Sequence, residues 1–273
     1  MNILITGAGG FLGQYLTHNL DQDYTVDAKN RTGLDVTDAT AVRQVLQSQW
    51  YDAVIHCAAE GRNDARAVNP TIVAHNLLGF GNLLANRELF GQLINIGTGA
   101  EFDLDQDIYR VAEQEIWTRS PRHSYGLSKN CIARLIDGHY DFYNLRIFGC
   151  FDTSEDDRRP LKRLQSLAAQ GEPFVIAEDR EFDMISAADF ALVVRAGLEN
   201  RLDYNDINVV YAQKHRLSDI LKLYCSTHDI DPGMVQVTGT AKSNYSGDGT
   251  RLAHNDIALQ GLNNSIKNYG ISQ

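Results

Sequence analysis

Apolar positions in the first 150 residues follow two alternating rhythms. Short, near-continuous apolar runs at 3–5, 24–28, 53–56, 93–96 and 144–148 read as strands buried on both faces. Between them the spacing switches to helical periodicity. It runs from Phe11 to Leu20, from Thr37-Asp38 through Val42, Val45 and Leu46, from Asn69-Pro70 through Val73, Leu77, Leu78, Leu83 and Leu84, and from Ser124 to Gly138. Strand–helix alternation at this spacing predicts an α/β fold: a parallel sheet with right-handed crossovers and helices on both faces.

The texture changes after about residue 150. Asp152 to Arg159 is a dense charged loop. A helix is expected over 160–170, a short strand over 174–176, a helix over 187–198 and a strand over 207–211. Ser218 is a plausible N-cap for a helix reaching Thr227, and Asp231-Pro232-Gly233 is a turn. The expected organisation is a sheet domain over 1–150, to which 185–213 returns, and a smaller α/β lobe made of 151–184 and 214–273.

Composition narrows the class. The chain has 273 residues, 43% hydrophobic and 22% charged, enough to bury a core without staples. Its 25 basic against 35 acidic residues give a net charge of -10, which argues against a nucleic-acid partner. No run of about 18 apolar residues and no charged-then-apolar leader is present, so no membrane partner and a cytoplasmic location are expected. Cys57, Cys131, Cys150 and Cys225 are scattered without metal-type spacing and read as reduced thiols, with no metal site.

Two local patterns carry chemistry. Glycines at 7, 10 and 13 in Thr6-Gly7-Ala8-Gly9-Gly10-Phe11-Leu12-Gly13 follow the first strand and open a helix. Such a turn lets backbone N–H groups approach a pyrophosphate at the positive helix end. Far downstream, Tyr125 and Lys129 stand at i and i+4 on one helix face. A lysine beside a tyrosine favours the phenolate, which suits a proton exchange with a carbinol or carbonyl oxygen near neutral pH.

G-x-x-G-x-x-G with a distant Tyr-x-x-x-Lys resembles the extended branch of the short-chain dehydrogenase/reductase superfamily. That branch includes nucleotide-sugar epimerases, dehydratases and 4-keto reductases. The matching stretches span nearly the whole chain: Val54 to Ala59 after the third strand, Leu34-Asp35-Val36-Thr37-Asp38 flanking the adenine, Asn76 to Gly79 with Asn82, Leu145 to Phe148, and Asn208 to Ser218. The resemblance implies a Rossmann-type doubly wound sheet and hydride transfer between a nicotinamide and a sugar carbon. Tyr125 would exchange the proton, and Lys129 would lower its pKa and hold the nicotinamide ribose. Thr98, four residues before Phe102, would orient the carbonyl; Ser124 is its chemical rival. Implied cofactor contacts are Gly7, Gly9, Gly10, Phe11, Leu12, Gly13, Lys29, Asn30, Arg31, Asp35, Val36, Cys57, Ala58, Ala59, Asn76, Ile96, Tyr125 and Lys129. Implied substrate contacts are Glu60, Thr98, Gly99, Phe148, Arg158 and Arg180.

Departures from the family pattern refine this. The dehydratases place an Asp-Glu pair after the catalytic Thr, where this chain has Gly99 and Ala100; Glu101 stands one step too late. Reduction or epimerisation therefore remains. The short stretch after strand two is similar to GDP-fucose synthases and dTDP-4-dehydrorhamnose reductases. Lys29 and Arg31 favour NADP, whereas Asp27 would suit NAD. Where many relatives carry an Arg-Asp-Phe grip on the diphosphate, the arginine position holds Phe182; Arg180 or the cluster Arg158, Arg159, Lys162 and Arg163 would have to serve. The expected activity is NAD(P)-dependent 4-keto reduction of a nucleotide sugar. The alternatives are a redox-neutral epimerase with bound cofactor and a non-catalytic NAD(P) binder. The resemblance also implies a homodimer through helices around 76–90 and 125–138.

Overall fold

The computed structural model describes residues 1–61, 64–240 and 243–270. The chain opens with β1 (Asn2–Thr6), α1 (Phe11–Leu20), β2 (Thr25–Lys29), α2 (Ala39–Ser48) and β3 (Tyr51–His56). It continues through α3 (Pro70–Leu84), β4 (Phe90–Thr98), β5 (Ile108–Val111), α4 (Ser124–Ile136) and β6 (Phe142–Ile147). Six strands form one parallel sheet, whose last member is β10 (Asp206–Asn208), in the order β2-β1-β3-β4-β6-β10. This is the doubly wound, Rossmann-type architecture expected. The order reverses between β1 and β3, which opens a crevice at the carboxyl ends of those strands.

The strand alternation explains the two-sided core. Ile3, Ile5, Ala53, Ile55, Ile94 and Ile96 pack into one apolar cluster, while Leu4, Val54 and Leu93 between them pack into a second on the opposite face. Both faces are apolar, so these runs read as continuous rather than alternating. Caps set the helix starts. Asp38 accepts from Thr40 N and Ala41 N at 2.9 and 3.1 Å, and Asn69 accepts from Thr71 N at 3.0 Å with Pro70 at the first helical position.

The later elements are β7 (Cys150–Phe151), α5 (Pro160–Gln170), β8 (Phe174–Ile176), β9 (Ile185–Ser186) and α6 (Ala187–Leu198). After β10 come α7 (Leu217–Thr227), β11 (Val235–Val237), β12 (Tyr245–Gly247), α8 (Thr250–His254) and α9 (Leu262–Lys267). Helix α6 lies over the main sheet against α1. The small strands pair outside that sheet, as β11 with β8, β12 with β5 and β7 with β9. Through β5, a segment of the first half is thus joined to the tail.

Several boundaries shift. Strand β4 starts at Phe90, and α4 stops at Ile136, before Gly138 at φ +85°. Strand β10 ends at Asn208, short of the expected Tyr211. Ser218 is not the N-cap of α7. Arg216 occupies that place, and Ser218 lies inside the helix because Asp179 takes both its hydroxyl, at 2.8 Å, and its N–H, at 3.1 Å.

Candidate active site

The crevice at the strand reversal is a cleft of about 1210 Å³ with an adjoining pocket of about 250 Å³; Gly7, Gly10, Arg31, Cys57, Ala59 and Glu60 line both. Gly7 shows why the turn needs glycine. Its φ is +70°, and a Cβ there would stand 2.5 Å from Ala58 N, so the first turn and the loop after β3 could not lie side by side. The first-turn backbone is thereby held open at the α1 N-terminus, a cradle of the kind a dinucleotide pyrophosphate occupies.

Below the pocket, the Thr6 hydroxyl and His56 Nδ1 are 2.8 Å apart and buried, linking β1 to β3. Burial, helped by nearby Lys129, holds His56 down to about 3, so it is neutral. Asn76 fastens the loop after β3 to two helices. It accepts from Glu60 N at 2.8 Å and donates to Glu60 O at 3.1 Å and Ser128 Oγ at 2.9 Å.

Tyr125, Lys129 and Thr98 all line the large cleft. Thr98 ends β4, and its hydroxyl accepts from Ala100 N at 3.3 Å. Tyr125 and Lys129 lie on α4. That helix sits hard against the turn over 99–102, since a Cβ on Gly126 would stand 2.5 Å from Ala100 O. Lys129 Nζ donates to Ile96 O at 2.9 Å. Burial lowers the Lys129 pKa, against the opposing pull of Glu101 and Cys57. Ser124, the chemical rival of Thr98, accepts from Asn69 N at 2.7 Å and is absent from the cleft wall.

Glu101 points into the core. It accepts from Thr98 N at 2.8 Å and from Arg146 Nε at 2.6 Å, with both side chains fully buried. Burial raises its pKa and Arg146 opposes the rise. Burial would likewise lower Arg146, but Asp206, 2.9 Å away, and Glu101 more than offset it. The carboxylate one step beyond the dehydratase pair therefore supports the wall from behind, while Ala100 faces the cleft.

Of the sixteen other cofactor positions named from sequence, besides Tyr125 and Lys129, fourteen line the cleft or its adjoining pocket and two do not. Lys29 instead pairs with Asp27 at 2.9 Å, and Asp27 also accepts from Tyr51 at 2.6 Å. Asn30 caps its own turn, accepting from Gly33 N at 3.0 Å. Arg31 is left as the cation at the pocket mouth, bound to Glu60 at 2.6 Å and Asp35 at 3.6 Å. Hydrogen bonding from His75 and then Arg31 lowers Glu60, so it stays ionised.

Of the substrate positions, Glu60, Thr98, Phe148 and Arg180 line the cleft. Gly99 lies beneath Phe148, where any Cβ would meet the ring 2.5 Å away. Arg158 does not line the cleft; it pairs at 2.7 Å with Asp156, which does, as does its neighbour Arg159. Phe182, at the arginine position of the family's diphosphate grip, lines the cleft, as do Tyr245 and Arg66, which sequence reading missed. Tyr245 and Arg66 had no motif to mark them.

Fold and site together define a doubly wound, dinucleotide-type α/β protein with a Tyr/Lys/Thr cluster at its crevice. A family model for the NAD dependent epimerase/dehydratase family matches residues 3–210. The chain belongs to that family. It is 22% identical over 251 residues to GDP-6-deoxy-D-talose 4-dehydrogenase of Aggregatibacter actinomycetemcomitans, covering 85% of this chain and 82% of that protein. Among solved structures it is similar to dTDP-4-dehydrorhamnose reductase of Bacillus anthracis in complex with NADP, with TM-score 0.83, 21% identity and 98% of each chain covered. It also matches a GDP-mannoheptose C4 reductase of Campylobacter jejuni with NADP bound, at TM-score 0.78 and 17% identity, covering 97% of this chain and 96% of that one. Among the described residues, no helix is long and apolar enough to cross a membrane.

Proposed function

We propose that this chain is an NADPH-dependent reductase of a nucleotide-linked 4-keto sugar. The observation that carries the reading is that Thr98, Tyr125 and Lys129 all line one cleft, in a chain where Gly99 and Ala100 stand in place of the dehydratase acids. The relatives named above are redox enzymes of keto or hydroxy nucleotide sugars, which supports the same reading.

The glycine turn and the loop after β3 would hold the dinucleotide, with Arg31 toward the adenosine phosphate. The bound cofactor supplies a hydride for the carbonyl carbon. Tyr125 gives its phenolic proton to the carbonyl oxygen as that oxygen gains charge, and the Thr98 hydroxyl donates a hydrogen bond to it. Lys129 stabilises the phenolate left behind. Arg159 and Arg180, on the cleft wall, supply cations for the diphosphate, and the segments outside the main sheet form the substrate lobe. Exposed Leu78 on α3 and Leu135 on α4 support a homodimer through those helices.

The test uses the purified protein with GDP- or dTDP-linked 4-keto-6-deoxyhexoses and NADPH. Loss of NADPH absorbance with equimolar formation of the 4-hydroxy sugar is expected. A redox-neutral isomer formed without net NADPH use would overturn the reading in favour of an epimerase.

A further inference from the structure

The segment over 152–159 brings Ser154, Asp156 and Arg159 to the cleft. Glu155 is the one residue of that segment that is buried, and it does not line the cleft. Tyr269, which is also buried and outside the cleft lining, stands behind the segment. Its hydroxyl lies 3.3 Å from Asp152 O and 3.3 Å from Glu155 Oε1. A phenol has one proton, which is shared between these two acceptors. The Tyr269 ring packs edge-on to Tyr224 of α7, with centroids 5.5 Å apart, and against Phe151 at 6.3 Å.

These contacts close a frame around the segment. Strand β7 ends at Phe151, which stands opposite Ser186 in the pairing with β9. Ser265 of α9 donates to Ser186 Oγ at 3.1 Å, and His228 Nε2 at the end of α7 is 2.9 Å from Ile266 O. Helix α9 is thus tied to β9 and to α7, and Tyr269 follows it back to the segment. Within the segment, the Asp152 carboxylate accepts from Ser154 N at 2.9 Å and from Ser154 Oγ at 2.6 Å. Asp152 O accepts from Glu155 N at 3.1 Å, and Asp156 O accepts from Arg159 N at 2.9 Å where α5 begins. Holding Asp152 and Glu155 therefore sets the turns that lead to Arg159.

We propose that Tyr269 is a positioning residue for the substrate, pinning the 152–155 turn from behind so that the Arg159 guanidinium meets the diphosphate of the sugar nucleotide. Without the phenol the turn keeps its internal bonds but is no longer tied to α9. This inference rests on the proposed function, which makes Arg159 a cation for the diphosphate.

The test is a double-mutant cycle in the full-length protein. Tyr269→Phe keeps the ring packing and removes only the hydroxyl. GDP and dTDP are titrated calorimetrically into the NADP-saturated protein, and KM and kcat are measured with NADPH and the 4-keto sugar nucleotide. We expect Tyr269→Phe to weaken diphosphate binding and raise KM about fivefold, the effect of one lost hydrogen bond, with kcat and NADPH affinity within about twofold. In an Arg159→Ala background the same change should alter binding by less than about twofold. Parent-like binding and KM in Tyr269→Phe, a fivefold loss that persists in Arg159→Ala, or a matching loss of NADPH affinity overturns the proposal. A parent protein that binds neither diphosphate also overturns it. Diphosphate binding with the expected coupling, in a protein that reduces no 4-keto sugar nucleotide, defeats the reductase reading alone.

Discussion

The ammonium of Lys129 is bonded to the carbonyl oxygen of Ile96, two residues before Thr98 on the same strand. One contact therefore registers helix α4, which carries Tyr125, against strand β4, which ends in Thr98. If Tyr125 is the proton donor, Tyr125→Phe should lower turnover of a 4-keto sugar by about 10²- to 10⁴-fold. NADPH affinity, read by fluorescence titration, should stay within about twofold. Wild-type turnover in that variant would exclude the assignment.

Arg31 is the cation left at the pocket mouth once Lys29 is paired with Asp27. Arg31→Ala should weaken NADPH binding by about tenfold and leave NADH binding nearly unchanged, the loss expected for one charge-assisted contact to a phosphate. Equal weakening of both cofactors would show that Arg31 does not read the phosphate.

Glu101 and Arg146 are buried together behind Thr98. Glu101→Ala leaves the guanidinium with Asp206 and the Asn208 amide oxygen and should cost about 3 kcal/mol of stability. A urea titration reads this as a lower midpoint at constant slope. An unchanged midpoint would mean that the pair contributes nothing to the fold.

Glu155 is buried, and one of its oxygens has no partner among the described residues. Burial pushes it from the ordinary carboxylate range up to about 7, against the pull of Arg159. The folded protein then holds a proton that the unfolded chain releases near 4.5. Its contribution is complete below about pH 4.5 and is lost as pH rises through about 7. Glu155→Gln should therefore raise Tm at pH 8 relative to the parent and change it little at pH 4.5. The reverse order would contradict the assignment.

The inner sheet was legible because β1, β3, β4 and β6 bury both faces and so read as apolar runs, whereas the edge strand β2 has no buried residue. The glycine turn was legible because part of the reason for glycine is local: a Cβ on Gly13 would stand 2.4 Å from Gly7 O. The small strands were harder. Strands β7 and β9 have two residues each, too few to show any period. Lys29 and Arg31 look alike in sequence; the tertiary pairing of Lys29 with Asp27 separates them. Arg158 and Arg159 are likewise adjacent, and only the start of α5 decides which faces the cleft. Glu101 reads as a displaced acid until Arg146, 45 positions away, is seen beside it. Tyr245 had no local signal, because its neighbours Phe148 and Phe182 come from distant stretches.

The pairing of β12 with β5 has a consequence for how the protein is made. Arg110 N and Ser246 Oγ, 3.0 Å apart, are separated by 136 positions along the chain. The glycine cradle is complete once the loop after β3 has been synthesised, but Tyr245 reaches the cleft only with β12. Contacts of such long sequence separation form late. A nascent chain that stops before β12 lacks this part of the cleft lining. Synthesis of the β12 segment is therefore the event that completes the wall of the cleft.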